Sequence, residues 1–266
     1  MTAAFRYEFL MQVRKRSMWI AYGVVVLLLG LLSARGREVG DMLHDSDAKA
    51  TVTSVAVAIN LILPVVYGCF LADRLVRDDK LGVAAILDVT PSSGAGRLAG
   101  KYLGACAAAA VPLAIVYFGF VALYAATSGR PVAFAWAAAV FAVVIAPAVL
   151  FVGAFALVVP LLIPAPLFRV LFVGYWFWGN AITPDAMPTL ASSLVTPVGS
   201  YPLQELFGYR GPAGDTELAG PAPGAVFNFL RPEATPATAW LSVGVLLALA
   251  ILVLSAAPAL RARTTR

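Results

Sequence analysis

Six stretches of this chain are apolar: about 17–33, 52–72, 102–127, 132–157, 167–182 and 237–258. None has Asp, Glu, Lys or Arg in its interior, Arg169 at the edge of the fifth counting with the flanks. A run of about 20 apolar residues is the length of a helix that crosses a bilayer. Six of them leave little room for a soluble fold. The chain is 61% hydrophobic and 12% charged, against about 25% charged in soluble domains. The expected class is therefore all-α, a polytopic membrane protein with six transmembrane helices. A charge in mid-span costs about 2.5–3.5 kcal/mol on insertion scales and is kept mainly for ion or proton work. Its absence gives little support to a proton-coupled pump.

The first stretch is too long for the core of a cleaved signal peptide, and Ser33-Ala34-Arg35-Gly36-Arg37 after it offers no small-x-small cleavage site. It reads as a membrane helix. Orientation follows from Lys and Arg in the flanks. With a cytoplasmic N-terminus, 13 of the 19 basic residues fall inside and 9 of the 14 acidic residues outside. Both termini are then expected in the cytoplasm and the protein in the cell's inner or plasma membrane. The net charge of +5 serves anionic lipid headgroups at helix ends. It does not call for nucleic acid.

The whole chain, 1–266, reads as one transmembrane domain. Residues 1–16 form its first part, where Phe5, Phe9 and Val13 recur every four residues with Leu10 alongside. Arg6, Gln12, Arg14, Lys15 and Arg16 take other faces, so an amphipathic helix lying in the headgroup layer is expected. The alternative is that it simply begins the first span. Pro160, Pro164 and Pro166 break the chain between the fourth and fifth stretches, and the fifth is short. Residues 183–236 form the longest connection, rich in Pro and Gly but holding apolar pieces. Short extracellular helices before the last span are expected there, since loops this long are uncommon unless functional. Tyr175, Trp176, Phe177 and Trp178 read as an outer interfacial belt.

Most chemical motifs fail. Gly94-Ala95-Gly96-Arg97-Leu98-Ala99 fits G-x-G-x-x-A, but no strand precedes it. Gly100-Lys101 lacks the glycine and the following Ser or Thr of a phosphate loop, since Ala95 and Tyr102 stand there. His44, the single histidine, sits with Asp41, Asp45 and Asp47 in what reads as a solvated outer loop. Cys69 and Cys106 fall in or near spans and support neither a disulfide framework nor a zinc site. No cluster of His, Asp, Glu or Ser marks hydrolase or transferase chemistry.

One charged segment interrupts the apolar chain: residues 73–101, 29 residues with nine charges. Its run Ala72-Asp73-Arg74-Leu75-Val76-Arg77-Asp78-Asp79-Lys80-Leu81-Gly82 is followed by Leu87, Thr90-Pro91-Ser92 and Gly100-Lys101-Tyr102-Leu103-Gly104. This resembles the loop between the second and third helices of type-2 ABC exporter permeases. The layout is similar throughout: an N-terminal amphipathic helix, six spans and a long external segment before the last. The resemblance implies a permease subunit whose loop at 73–101 is a cytoplasmic coupling loop, with Arg77, Asp78, Asp79, Leu81 and Leu87 contacting a separate cytoplasmic ABC ATPase. It further implies export, ATP and Mg bound by that ATPase rather than by this chain, and a second permease, identical or a sister; the charge-free spans suit a hydrophobic or amphiphilic substrate. Gly100, Gly104 and Ala108 permit close helix approach, either to that second copy or within the subunit. Other readings are a non-transporting scaffold, an immunity or resistance subunit, and a membrane enzyme. With no charge in the spans, neutral polar groups would mark a pathway, and Asn60, Tyr67, Tyr117 and Tyr124 are the candidates. Each could instead make an interhelical hydrogen bond.

Overall fold

The computed structural model describes residues 2–35, 43, 45, 47–76, 93–211 and 217–264, and among them every regular element is helical. The elements are α1 (Thr2–Val13), α2 (Arg16–Arg35), α3 (Ala48–Leu71), α4 (Gly94–Ser128) and α5 (Ala133–Val140). A π-helical turn, Phe141–Ile145, leads into α6 (Ala146–Val158), and a 3-10 turn, Val159–Leu161, ends it. Then come α7 (Ala165–Asn180), α8 (Ser200–Glu205), a second 3-10 turn Asn228–Leu230, and α9 (Pro236–Thr264).

Four segments are long and apolar enough to cross a membrane: Ala48–Val76, Gly94–Ser128, Ala133–Leu161 and Pro236–Arg261. That is the character of a membrane protein. The first and fifth expected spans correspond to shorter pieces, an apolar run Arg16–Leu28 within α2 and the 16 residues of α7. The proline break falls where the sequence places it. Pro160 sits in the 3-10 turn and Pro164 precedes the first turn of α7.

The bundle is organised around α3 and α6. Helix α3 touches α2, α4, α5, α6 and α7, while α6 also meets α4 and α9. Prolines within two of the long helices shape these contacts. Pro64 in α3 and Pro112 in α4 lack the N–H that would close an i→i−4 bond and crowd the preceding turn. In each case the carbonyl three residues earlier takes a donor from another helix. Trp176 Nε1 donates to Leu61 O at 2.6 Å, and the Tyr22 hydroxyl donates to Ala109 O at 3.2 Å. Trp176 is therefore fully buried and not part of an interfacial belt. Its N–H is spent on α3, whereas Phe177 beside it is exposed. The π turn before Pro147 was not legible in the sequence.

Helix ends follow local rules. Asp47 caps α3, its Oδ1 accepting from the N–H groups of Lys49 (2.9 Å) and Ala50 (3.1 Å). Helix α4 stops at Gly129, whose φ of 68° suits glycine.

The N-terminal helix is separate from α2, the two being divided at Arg14 and Lys15. Its orientation, however, differs from a plain amphipathic reading. The inward strip is polar, Glu8 and Gln12, while Phe5 and Tyr7 face out and Phe5 stacks with Phe9. The reason is Gly104 on α4. A Cβ there would lie 2.6 Å from the Phe5 carbonyl oxygen, so α1 rests backbone-first on α4. Gly104 thus serves packing within the subunit. Gly104→Val should force α1 from its seat, costing about 1–3 kcal/mol as overpacking does. Faster proteolysis between α1 and α2 and a lower melting temperature in detergent are the expected readouts; an unchanged cleavage pattern would show that α1 is not seated there.

Candidate functional site

The charged segment leaves α3 and re-enters at α4, and the described residues include both of its roots. On the first side Arg74 and Leu75 are buried in spite of one being charged. Arg74 Nη1 lies 3.7 Å from Glu8 Oε1, with both side chains only 4% exposed. Gln12 Nε2 donates to the same carboxylate oxygen at 3.1 Å. Arg261 from α9 donates through Nη2 to Leu75 O at 3.1 Å. Arg169 from α7 donates through Nε to Cys69 O at 3.0 Å, and its Nη2 lies 3.8 Å from Asp73 Oδ2 on half-exposed side chains. That last pair is worth little by itself. On the second side Ser93 caps α4, its hydroxyl accepting from Gly96 N–H at 3.2 Å, and Lys101 stands within the electrostatic reach of Glu8, Arg74 and Arg261.

Helices α1, α7 and α9 thus each send a side chain to the last turns of α3. Arg77, Asp78, Asp79, Leu81 and Leu87, the residues expected to touch a partner, lie outside the described residues, as does His44. Glu8 was not singled out by the sequence reading. Its signal was there: it is the lone acid among Arg6, Arg14, Lys15 and Arg16 in the first sixteen residues.

At the other end of the bundle, residues 181–211 and 217–235 fold back as a cap of turns around α8. Arg231 is almost wholly buried. Its Nη2 donates to Thr189 O at 2.6 Å and Ala191 O at 2.9 Å, and its Nε to Ala191 O at 3.1 Å. Burial pushes the guanidinium pKa below its ordinary value. Burial also pushes the Tyr201 hydroxyl up to about 12, so it remains a donor, to Pro232 O at 2.7 Å. Gly199, at φ 82°, brings the cap against the π turn; a Cβ there would lie 2.9 Å from Val144 Cγ1. Asn180 Oδ1 accepts from the Thr196 hydroxyl at 2.8 Å.

The four neutral polar residues proposed for a pathway are scattered through this frame. Asn60 Nδ2 donates to Pro197 O (2.9 Å) and Val198 O (3.2 Å), joining α3 to the cap. The Tyr117 hydroxyl donates to Val52 O at 3.1 Å and that of Tyr124 to Asp45 O at 2.9 Å. Tyr67 alone of the four has a buried hydroxyl with no hydrogen-bond partner among the described residues. Its neighbours Tyr22 and Cys106 are already engaged: the Tyr22 hydroxyl donates to Ala109 O at 3.2 Å, and Cys106 Sγ lies 3.8 Å from Val149 O.

The chain matches no protein-family model and no curated protein sequence. The site must therefore be argued from its own residues.

Two predictions follow from these contacts. Glu8→Ala removes the carboxylate beside buried Arg74 and should cost about 3–5 kcal/mol, whereas Glu8→Leu combined with Arg74→Met should recover most of that loss. Chemical denaturation of the three proteins in micelles decides it, and a double variant no better than the single one would rule out the pair as the source. Among the pathway candidates, Asn60→Leu leaves two cap carbonyls unpaired and should cost about 1–3 kcal/mol, while Tyr67→Phe removes a hydroxyl that bonds nothing and should leave stability equal or raised. A Tyr67→Phe protein clearly less stable than the parent would mean that its hydroxyl has a partner.

Proposed function

We propose that the chain is the transmembrane subunit of an ATP-driven ABC exporter, moving a hydrophobic or amphiphilic substrate outward with energy from a separate ATPase. The observation that carries this reading is the charged segment 73–101, with its resemblance to the coupling loop of type-2 exporter permeases, rooted in a buried ion pair. A soluble partner pressing on the loop would meet a lever and not a loose strap. Arg74 is held by Glu8, Leu75 by Arg261 and Cys69 by Arg169. Movement of the loop would thus reach α1, α3, α7 and α9 together as a shift of packed helices.

In this reading α2 and α7 complete six spans, both termini and the charged loop face the cytoplasm, and the cap 181–235 lies outside. ATP and Mg reside on the partner. Two permeases, identical or sister, complete the transporter, because two ATPases closing around two nucleotides need two coupling loops. A charge-free interior suits amphiphilic cargo better than an ion or a sugar.

The experiment is affinity purification of the chain from its native membrane, with ATPase activity measured on the eluate. An ABC ATPase should co-purify in equal amount with the permease. Reversal of charge at Asp78 and Asp79, or Leu81→Pro, should leave membrane insertion intact and abolish stimulation of that ATPase by substrate. Recovery of the intact chain without any ATPase, or a reversed-charge variant that still couples normally, would remove the docking role.

A further inference from the structure

A groove of about 300 Å³ opens on the side of the bundle between α6 and α7. Phe151 and Phe155 of α6 form one wall, their ring centroids 4.7 Å apart. Phe168, Phe172 and Trp176 form the other along α7, Phe168 stacked on Phe172 at 5.5 Å and Trp176 tilted against Phe172 at 5.8 Å. These walls are built in advance. Trp176 is held by its bond to Leu61 O, and Phe172 is seated over Gly68, where a Cβ would come 2.3 Å from the ring. Such a lining offers water no partners, and apolar cavities of this kind stay dry and take hydrocarbon or rare gas.

From these walls we infer that the groove is a binding site for the hydrocarbon chain of a membrane amphiphile with an anionic head. At about 30 Å³ per water-sized group, the space holds about ten methylenes. Lipid tails elsewhere in a bilayer are as apolar as the groove, so preference comes from contact with rigid rings rather than from escape from water. The charge nearby sets the head. Arg169 follows Phe168 at the end of the groove beside the proline turn, 39% exposed and only loosely paired with Asp73 at 3.8 Å. A phosphate or carboxylate there competes with Asp73 for the Nη hydrogens of Arg169, while Nε keeps its bond to Cys69 O. The inference needs only the membrane character of the chain. It holds whether or not an ATPase is the partner.

The test uses the purified full chain in nanodiscs doped with phospholipid bearing a photoactivatable acyl chain, as phosphatidylglycerol in one arm and phosphatidylcholine in the other. Label should concentrate on peptides covering 151–155 and 168–176, more strongly with phosphatidylglycerol. Leu171→Trp, which fills the mouth from an exposed position, should lower that label about tenfold, equivalent to 1.4 kcal/mol. Label on the outward faces of α2 and α9 should stay as it was. Arg169→Gln should abolish the preference between headgroups and keep the chain label. A labelled free fatty acid, added separately, should leave the phospholipid in place; its displacement of the phospholipid would overturn the assignment of the groove to a resident phospholipid chain. Label spread evenly over α2, α7 and α9, or unchanged in Leu171→Trp, would overturn the inference, as would cross-links from this face to a second copy in place of lipid. Should Leu171→Trp fail to fold, the wild-type labelling map alone decides between a groove and a uniform annulus.

Discussion

A polypeptide without water around it must find every hydrogen bond within itself, and in this chain that requirement meets two prolines set inside long apolar helices. Helix formation satisfies nearly all N–H and C=O groups of α3 and α4. Pro64 and Pro112 then each remove one donor. The carbonyls near them draw in Trp176 from α7 and the Tyr22 hydroxyl from α2, so the two shorter apolar helices are fastened to the two longer ones at their weakest turns. Much of the packing order follows from that, including the seat of the aromatic rings along α7.

Charge is handled by the same economy at the two ends. At one end the Glu8 carboxylate sits among Arg74, Lys101 and Arg261, and Leu75 O accepts from Arg261. At the other, Arg231 has no carboxylate bonded to it among the described residues and rests on the carbonyls of Thr189 and Ala191. Buried cations tolerated in this way need fixed geometry around them. The root of the charged segment and the cap are joined by the proline-bearing helices between them.

Neutral polar residues in the bundle first meet structural needs. Asn60 ties α3 to the cap, and Tyr117 and Tyr124 fasten α4 to the start of α3 and the residues before it. A polar side chain in an apolar stretch thus does not by itself mark a path for cargo. Tyr67 is the exception, since its hydroxyl is buried and has no hydrogen-bond partner among the described residues.

The sequence by itself determined the solvent and therefore the class: apolar runs without interior charge demand helices, and Pro160, Pro164 and Pro166 set the break before a short fifth helix. It also marked residues 73–101, with nine charges, as the main charged interruption of the apolar chain. Tertiary structure decided the rest, for reasons no local pattern carries. The periodicity of Phe5, Phe9 and Val13 gives α1 an apolar ridge, but which face turns inward depends on Gly104, a hundred residues away, leaving room for backbone contact. Trp176 reads as one aromatic in an interfacial run until the bent turn of α3 supplies its acceptor. Glu8 becomes a structural residue only because α3 brings Arg74 to it. Side-chain partners distant in sequence are chosen by which helices touch, and that choice is a property of the packed bundle.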